Sequence, residues 1–180
     1  MTITQTERRP TRWIVQVEDA SVRFAVKTFW GLATVYGRFD RFDGSFELGP
    51  DGPKIELKID ADGVDTGNKT RDKHLRSAAF FGVGEHPQVR FTSTHVGDAG
   101  NGVLHVEGLL EAAGNRVPLE FDATVQPVDD GLELEATTTV DQRRLGMSGG
   151  ILGMIRPPAM LHVKATVTAV GATVDLSGPS

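Results

Sequence analysis

The string Gly146-Met147-Ser148-Gly149-Gly150 fits G-x-S-x-G, the pattern in which hydrolases hold a nucleophilic serine on a sharp turn. That turn requires a strand-to-helix transition above a parallel sheet, with an acidic residue and then a histidine later in the chain. Here His162 precedes Asp175, and the flanking residues follow an antiparallel pattern. A flexible glycine loop is therefore the preferred interpretation, and a serine hydrolase acting through Ser148 is the less favoured alternative.

Two other patterns could hold a metal ion, and each lacks a necessary part. Asp60, Asp62 and Asp65 resemble the start of a calcium loop, but no glycine stands at its sixth position and Arg71 replaces the bidentate glutamate. The 5 histidines show neither HxH nor HExxH spacing, and the chain contains no cysteine. The sequence predicts no metal site, no cofactor and no thiol chemistry.

A charged segment, DTGNKTRDKHLRSAAFF, runs from Asp65 to Phe81. Asn68 or Thr70 can cap a short helix there, and Leu75, Ala78 and Ala79 have the spacing of an apolar stripe. Phe80 and Phe81 would then anchor the end of the helix to a larger apolar body, because so short a helix is unstable alone. The segment is predicted to be one short amphipathic helix.

The basic side chains of this segment lie off the apolar stripe. They could attract a diphosphate or an anionic membrane surface, or they could simply be solvated. Arg71 or Asp72 is expected to pair and hold the loop. The candidates for contact with such an anionic head group are Lys69, Lys73 and Arg76.

Elsewhere the dominant signal is alternation of apolar and polar residues with a period of two, as in 55–59 and 117–125. Roughly eight to ten strands of this kind must close into a barrel or pair as a sandwich to bury their apolar faces. Runs of about ten residues, such as 33–42 and 117–126, are long for strands and favour a barrel of about eight strands. The expected turns are Asp43-Gly44, Asp51-Gly52, Asn101-Gly102, Gly114-Asn115 and Asp130-Gly131.

Composition limits the function classes. The chain has 180 residues, of which 39% are hydrophobic and 24% charged, as in ordinary globular domains. Its net charge of -5 argues against nucleic-acid binding, which normally shows a basic stripe. Arg8, Arg9 and Arg12 are not followed by an apolar run, and no segment is apolar enough to span a bilayer as a helix. A cytoplasmic protein is expected.

The segment from Asp65 to Phe81, followed by HPQVRFTST at 86–94, resembles the signature region of the YceI-like family of lipocalin-like, polyisoprenoid-binding proteins. The segments SVRFAVK at 21–27, GRF at 37–39 and FDG at 42–44 resemble its first two strands. The resemblance implies an all-β fold: a single antiparallel lipocalin-like β-barrel of about eight strands with one short α-helix. The barrel is expected over 12–170, between a flexible N-terminus at 1–11 and a flexible tail at 171–180.

The resemblance further implies an apolar tunnel that holds a long-chain isoprenoid, of the polyprenyl or quinone type, for storage, shielding or transport. It implies no catalytic residues. Bulky apolar residues between Leu145 and Pro158 would either plug the barrel end or cover the tunnel as a lid. By strand parity and by position, the predicted tunnel wall consists of Val22, Phe24, Val26, Phe39, Leu57, Ile59, Leu75, Phe80, Phe91, Leu119, Phe121, Met147, Ile151, Met154 and Ile155.

The main alternative is an interaction or stress-response module whose own phenylalanines fill the barrel. The expected partners are the isoprenoid lipid itself and, through transient contact, a membrane surface. Barrel-edge strands also allow a homodimer, and no nucleic acid is expected.

Overall fold

A computed structural model describes residues 12–147 and 155–170 of the chain. It contains strands β1 to β10, one α-helix α1 and three short 3-10 turns. The strands are β1 Arg12–Thr28, β2 Ala33–Phe39, β3 Phe42–Gly49, β4 Gly52–Asp60, β5 Val64–Asp65, β6 Gln88–Gly100, β7 Val103–Ala112, β8 Asn115–Val128, β9 Gly131–Val140 and β10 Ile155–Ala169. The helix α1 is Lys69–Arg76, and the 3-10 turns are Phe29–Gly31, Ala61–Gly63 and Gln142–Leu145.

The sheet closes on itself through β1. Strands β3, β4, β6, β7, β8, β9 and β10 form a continuous antiparallel series, and β1 pairs with both its ends, β3 and β10. The result is a closed antiparallel barrel of 8 strands, as predicted. The second half of β1 extends beyond β3 and pairs with β2, so that Val22 lies opposite Phe39 and Thr28 opposite Ala33. The short β5 pairs with the end of β2.

Most of the predicted turn dipeptides lie between consecutive antiparallel strands. Four of the expected dipeptides lie at or in tight connections between antiparallel strands: 51–52, 101–102, 114–115 and 130–131. The prediction of a turn at Asp43-Gly44 is wrong, because both residues lie within β3 and Gly44 pairs with Leu57 of β4. The run 33–42 is not one strand either, since the chain leaves the ladder at Asp40 and Arg41.

The helix forms where it was expected but ends earlier. Asn68 is the N-cap, and its side chain accepts a hydrogen bond from the backbone N–H of Arg71 at 3.0 Å. The helix ends at Arg76, so the predicted stripe through Ala78 and Ala79 is wrong, and both alanines are exposed. Phe80 is buried and packs in the barrel core, as an anchor should.

Glycine at position 37 gives room to an aromatic ring inside the barrel. Gly37 of β2 lies opposite Phe24 of β1, and a Cβ at this position would overlap the Phe24 ring. The Phe24 ring in turn lies 5.6 Å from the ring of Phe39. The absence of a side chain at residue 37 therefore allows the Phe24 ring to lie beside Phe39 inside the barrel.

Replacing Gly37 with alanine is expected to destabilise the fold by about 1–3 kcal/mol, because the ring of Phe24 must leave its position. The control is Gly49→Ala, also a strand glycine, where the nearest heavy atom to a new Cβ is 3.8 Å away. The free energy of unfolding, measured by denaturant titration, should fall for Gly37→Ala and change little for Gly49→Ala. Equal effects in the two variants would contradict this account of Gly37.

Candidate ligand-binding site

The barrel encloses a cavity of about 460 Å³. At one end its wall includes Val15 and Val167, which lie opposite each other in the β1–β10 ladder; at the other end it includes Thr28 and Ile155, which are also opposite. With a rise of about 3.3 Å per residue and a strand tilt of about 40°, this stretch of β1 spans roughly 30 Å along the barrel axis. The cavity is therefore elongated and suits a chain-like molecule.

Every predicted wall residue that the structure describes lines this cavity. The alternation of the strands explains this, because alternate side chains of a closed sheet must point inward. Their role as ligand contacts stays a prediction. Ile151, Met154 and Ser148 lie outside the described residues. Those that line the cavity are Val22, Phe24, Val26, Phe39, Leu57, Ile59, Leu75, Phe80, Phe91, Leu119, Phe121, Met147 and Ile155.

Phenylalanine rings pack against one another along the wall. Phe39 contacts Phe24 at 5.6 Å and, edge to face, Phe81 at 5.6 Å, which ties the segment after α1 to the barrel wall. Phe91 and Phe121 form a second pair at 5.4 Å. Tilted and edge-to-face rings are favourable arrangements, so the aromatic groups stabilise the wall without filling the interior.

Few polar groups reach the cavity, and several of them are held by neighbours. The Gln142 side chain is buried, and its Oε1 accepts a hydrogen bond from the backbone N–H of Ala159 at 3.1 Å. Arg71 and His74 of α1 also contribute to the wall, together with Leu75. The ring of His74 packs edge to face on Phe80 at 5.1 Å.

Thr66 is the centre of the hydrogen bonds that hold α1 in place. Its hydroxyl donates to Oδ1 of buried Asp72 at 2.6 Å, and its backbone N–H donates to the same oxygen at 2.9 Å. Arg71 donates from Nε to the Thr66 hydroxyl at 2.8 Å and from NH2 to the Thr66 carbonyl at 2.9 Å. Arg71 and Asp72 thus hold the loop by binding Thr66 from either side.

The three residues predicted for a head group occupy different environments. Lys69 and Lys73 are exposed on α1 and do not belong to the described cavity wall. Arg76 donates to the carbonyls of Asp62 and Val64, each at 2.9 Å, and thereby holds the chain that precedes α1. Arg71 and His74 were not predicted to lie on the wall. The signal was available, since Arg71 lies one helical turn before Leu75.

The clearest pH-sensitive cluster lies on the outer face of β7 and β8. Nδ1 of His105 is 2.8 Å from Oδ1 of Asp122, and its Nε2 is 3.4 Å from Glu120 and 3.9 Å from Glu107. The hydrogen bond with Asp122 and the charges of all three carboxylates raise the pKa of His105 above its ordinary value. The cluster faces away from the cavity, so it bears on stability and not on binding.

Within 12–147 and 155–170 no three His, Asp or Glu side chains are grouped so as to hold a metal ion. No helix in those ranges is long and apolar enough to cross a membrane. The strands on either side of the Gly146–Gly150 string, β9 and β10, pair antiparallel, unlike the sheet beneath a hydrolase nucleophile.

A family model and several known proteins match the sequence. The family model described as YceI-like domain matches residues 13–177. A UPF0312 protein of Shewanella baltica is 33% identical over 163 residues, which cover 84% of this chain and 81% of that protein. A UPF0312 protein of Pectobacterium atrosepticum is 39% identical over 109 residues, 59% of this chain and 56% of that protein. The chain thus spans just over half the length of the latter relative.

Solved structures share the fold at low sequence identity. BcnA of Burkholderia cenocepacia superimposes with a TM-score of 0.78 at 17% identity, covering 86% of this chain and 99% of that one. A polyisoprenoid binding domain from Saccharophagus degradans, implicated in plant cell wall breakdown, gives a TM-score of 0.73 at 14% identity, covering 89% and 99%. The YceI protein of Campylobacter jejuni gives 0.64 at 21% identity, covering 75% and 86%.

Removing the Thr66 hydroxyl in Thr66→Val should lower the free energy of unfolding by about 1–2 kcal/mol, because Asp72 loses a donor and Arg71 an acceptor. The matched control is Thr70→Val, since Thr70 is exposed on α1 and its side chain makes no hydrogen bond with a described residue. Denaturant titration measures both. Unchanged stability in Thr66→Val would show that Thr66 does not hold the helix.

His105→Gln is expected to destabilise the protein more at about pH 6 than at about pH 8.5. A histidine whose pKa is raised on folding contributes its stability below the unfolded pKa of about 6.5, and loses it as the pH rises through the folded pKa. His95→Gln is the control, since His95 is exposed on β6 and forms no ion pair with a described residue. Thermal unfolding across pH measures both, and a deficit that grows with pH would contradict the assignment.

Proposed function

Because the chain belongs to the YceI-like family, we propose that its barrel binds a long-chain isoprenoid lipid, of polyprenyl or isoprenoid-quinone type, in the internal cavity. The observation that carries the proposal is the elongated, almost wholly apolar cavity of about 460 Å³. Its size lies in the range of small-molecule sites, and its wall offers a flexible hydrocarbon chain continuous apolar contact. The name of the Saccharophagus degradans domain is consistent with this ligand class.

The cavity also weighs against the alternative of a self-filled barrel. On the wall Phe24 packs against Phe39 and Phe91 packs against Phe121, and these two pairs leave the interior open. Small residues add to the space. Ala123, Ala136 and Val163 lie opposite one another on β8, β9 and β10, and all three line the cavity. An interior built only for packing would place larger side chains in that row.

The energetics favour exchange of the lipid over extraction. Burying the five carbons of one isoprene unit gives about 4 kcal/mol relative to water, at about 0.8 kcal/mol per carbon. A bilayer interior offers the same units nearly the same gain, so the cavity and the membrane compete on almost equal terms. We infer that the protein stores, shields or carries a lipid that it takes from a membrane, and that it does so without catalysis.

The test is to identify what the purified full chain binds. Organic extraction followed by mass spectrometry should yield a lipid whose tail grows by isoprene units, and an added isoprenoid quinone should quench the intrinsic fluorescence on binding. If no lipid is extracted and no quinone of any tail length binds, the proposal is wrong.

A cavity-filling variant makes this test specific. Ala136→Phe places a ring in the row of small residues and should weaken quinone binding about tenfold or more. The free energy of unfolding should fall by no more than the roughly 1–3 kcal/mol of an overpacked core, because the ring extends into the cavity. The control is Thr137→Phe, at the neighbouring exposed position of β9, which should bind as the parent does. Unimpaired binding in Ala136→Phe would place the ligand elsewhere.

A further inference from the structure

The hairpin between β1 and β2 ends in a group of large apolar side chains that the fold leaves exposed. Trp30 is 65% exposed, Leu32 88% and Phe29 49%. No residue of the 3-10 turn Phe29–Gly31 is buried. Tyr36 of β2, 72% exposed, and Met160 of β10, 49% exposed, lie on either side of Ala25 in the adjoining ladders. We call Phe29, Trp30, Leu32, Tyr36 and Met160 the apolar tip.

The backbone holds the turn in a defined but costly conformation. Phe29 and Trp30 have φ values of 49° and 58°, in the left-handed region that residues other than glycine rarely adopt, and Gly31 follows at 93°. The backbone N–H of Leu32 donates to the carbonyl of Phe29 at 3.1 Å, and Arg156 donates to the carbonyl of Trp30 at 3.4 Å. Asparagine or glycine would fit such a turn better, so stability alone does not explain the aromatic residues.

The charge around the apolar tip is opposite to that of the whole chain. The net charge of the protein is -5, yet no Asp or Glu occurs between Asp19 and Asp40, or within β10. Lys27 and Arg156 lie opposite each other beside the turn, and neither forms an ion pair within the described ranges. Arg38, further along β2, is paired with Asp40 and Asp65. The surface next to the turn is thus both apolar and cationic.

The apolar tip also adjoins one end of the cavity. Val26 and Thr28 precede the turn, Val35 follows it and Ile155 faces it from β10, and all four line the cavity. The turns at the other end of the barrel carry Asp51, Asp129 and Asp130. A lipid that entered the cavity beside the turn would leave the membrane at the place where the protein touches it.

From these features we propose that the apolar tip docks the barrel on an anionic lipid bilayer, with Trp30 and Leu32 inserted among the head groups and Lys27 and Arg156 facing lipid phosphates. Aromatic residues and leucine flanked by cations are the side chains that favour the bilayer interface. The inference deepens the proposed function and rests on it for the purpose of the contact. It assigns that contact to the β1–β2 turn and not to Lys69 and Lys73 of α1.

Flotation of the full chain with vesicles tests the docking. The protein should bind vesicles of equimolar phosphatidylcholine and phosphatidylglycerol, and bind less to phosphatidylcholine alone or at high salt. Trp30→Ser combined with Leu32→Ser should lower the partition by about tenfold or more. The matched control is Leu48→Ser with Val128→Ser, which removes two exposed apolar side chains, 40% and 41% exposed, at the far end of the barrel. An equal loss in both, or no binding by the parent, overturns the proposal.

The fluorescence emission of Trp30 reports its insertion directly. The chain has 2 tryptophans, so Trp13→Phe leaves Trp30 as the single reporter. Its emission should shift to shorter wavelength with anionic vesicles and be quenched by brominated lipids. Sedimentation velocity without vesicles tests the competing occupant, a second copy of the chain. Such a copy could pair with β2, because β5 pairs only with Arg38 and Phe39 and no other described strand pairs with that edge. A dimer lost in the tip variant, with no emission shift, contradicts membrane docking.

Quinone binding in detergent micelles separates this inference from the proposed function. The tip variant should bind quinone as the parent does, because the wall residues are unchanged. If vesicle docking fails while quinone binding persists, the docking inference alone is wrong. If docking persists while quinone binding fails, the proposed function is wrong and the apolar tip serves another lipid-surface role.

Discussion

Closure of the sheet by β1 is the constraint on which the rest of the structure depends. One strand of 17 residues pairs with β10 along one side and with β3 and then β2 along the other. Its register shifts between Gln16 and Ser21 and again between Ala25 and Lys27, as expected where a strand must bend around a barrel. Closure gives β10 and part of β3 a ladder partner in β1, and the interior that it encloses is almost wholly apolar.

The β1–β2 extension follows from the same constraint. Beyond its pairing with β3, which ends at Ile14, the strand β1 continues to Thr28, and β2 pairs with its second half in a hairpin. The helical segment covers the space beside this hairpin, where Phe81 meets Phe39 and Arg76 holds the connecting chain. The polar network around Thr66 thus serves the barrel wall, although it lies in the most charged part of the chain.

Much of the fold and of the cavity wall could be predicted from the sequence. When apolar and polar residues alternate along the strands of a closed sheet, the apolar side chains must point into the barrel. Leu57, Ile59, Leu119 and Phe121 line the cavity for that reason alone. What could not be predicted depends on neighbours distant in sequence. Asp43-Gly44 has the composition of a turn, but the ladder between β3 and β4 overrides it.

The same limit applies to the site. The charge of α1 indicated a head-group surface. However, some of its basic side chains bind carbonyl and hydroxyl groups of the protein itself, and only the folded chain brings these groups close. Arg76 meets the carbonyl of Val64, and Arg71 meets Thr66. The exposure of Trp30 was equally hidden, since an aromatic residue between two strands is ordinarily expected in the core. Its environment is set by a left-handed turn that local patterns do not predict.

The proposed lipid binding and the proposed membrane docking are linked by a balance of apolar free energies. A cavity that competes with a bilayer for hydrocarbon gains little from affinity alone, so the position of its end relative to the membrane matters more than the tightness of its wall. Trp30 and Leu32 lie where such positioning can act, and Val26 and Val35 continue the apolar surface inward. The wall would therefore contact any hydrocarbon chain in much the same way. The position of the barrel end relative to the membrane would do more to determine which lipid is taken up.

The ladder between β1 and β10 also has a consequence for how the chain reaches its structure. Gln16 hydrogen-bonds Thr168 across a sequence separation of 152 residues, so the closing contacts are among the last that a growing chain can make. Contacts this distant in sequence slow folding, since the entropy of a long loop must be lost before they form. Until β10 emerges, β1 and β9 each have an edge with unpaired backbone groups. The time between synthesis of the first and last strands is therefore the interval in which the protein is most exposed to mispairing and most dependent on protection by the cell.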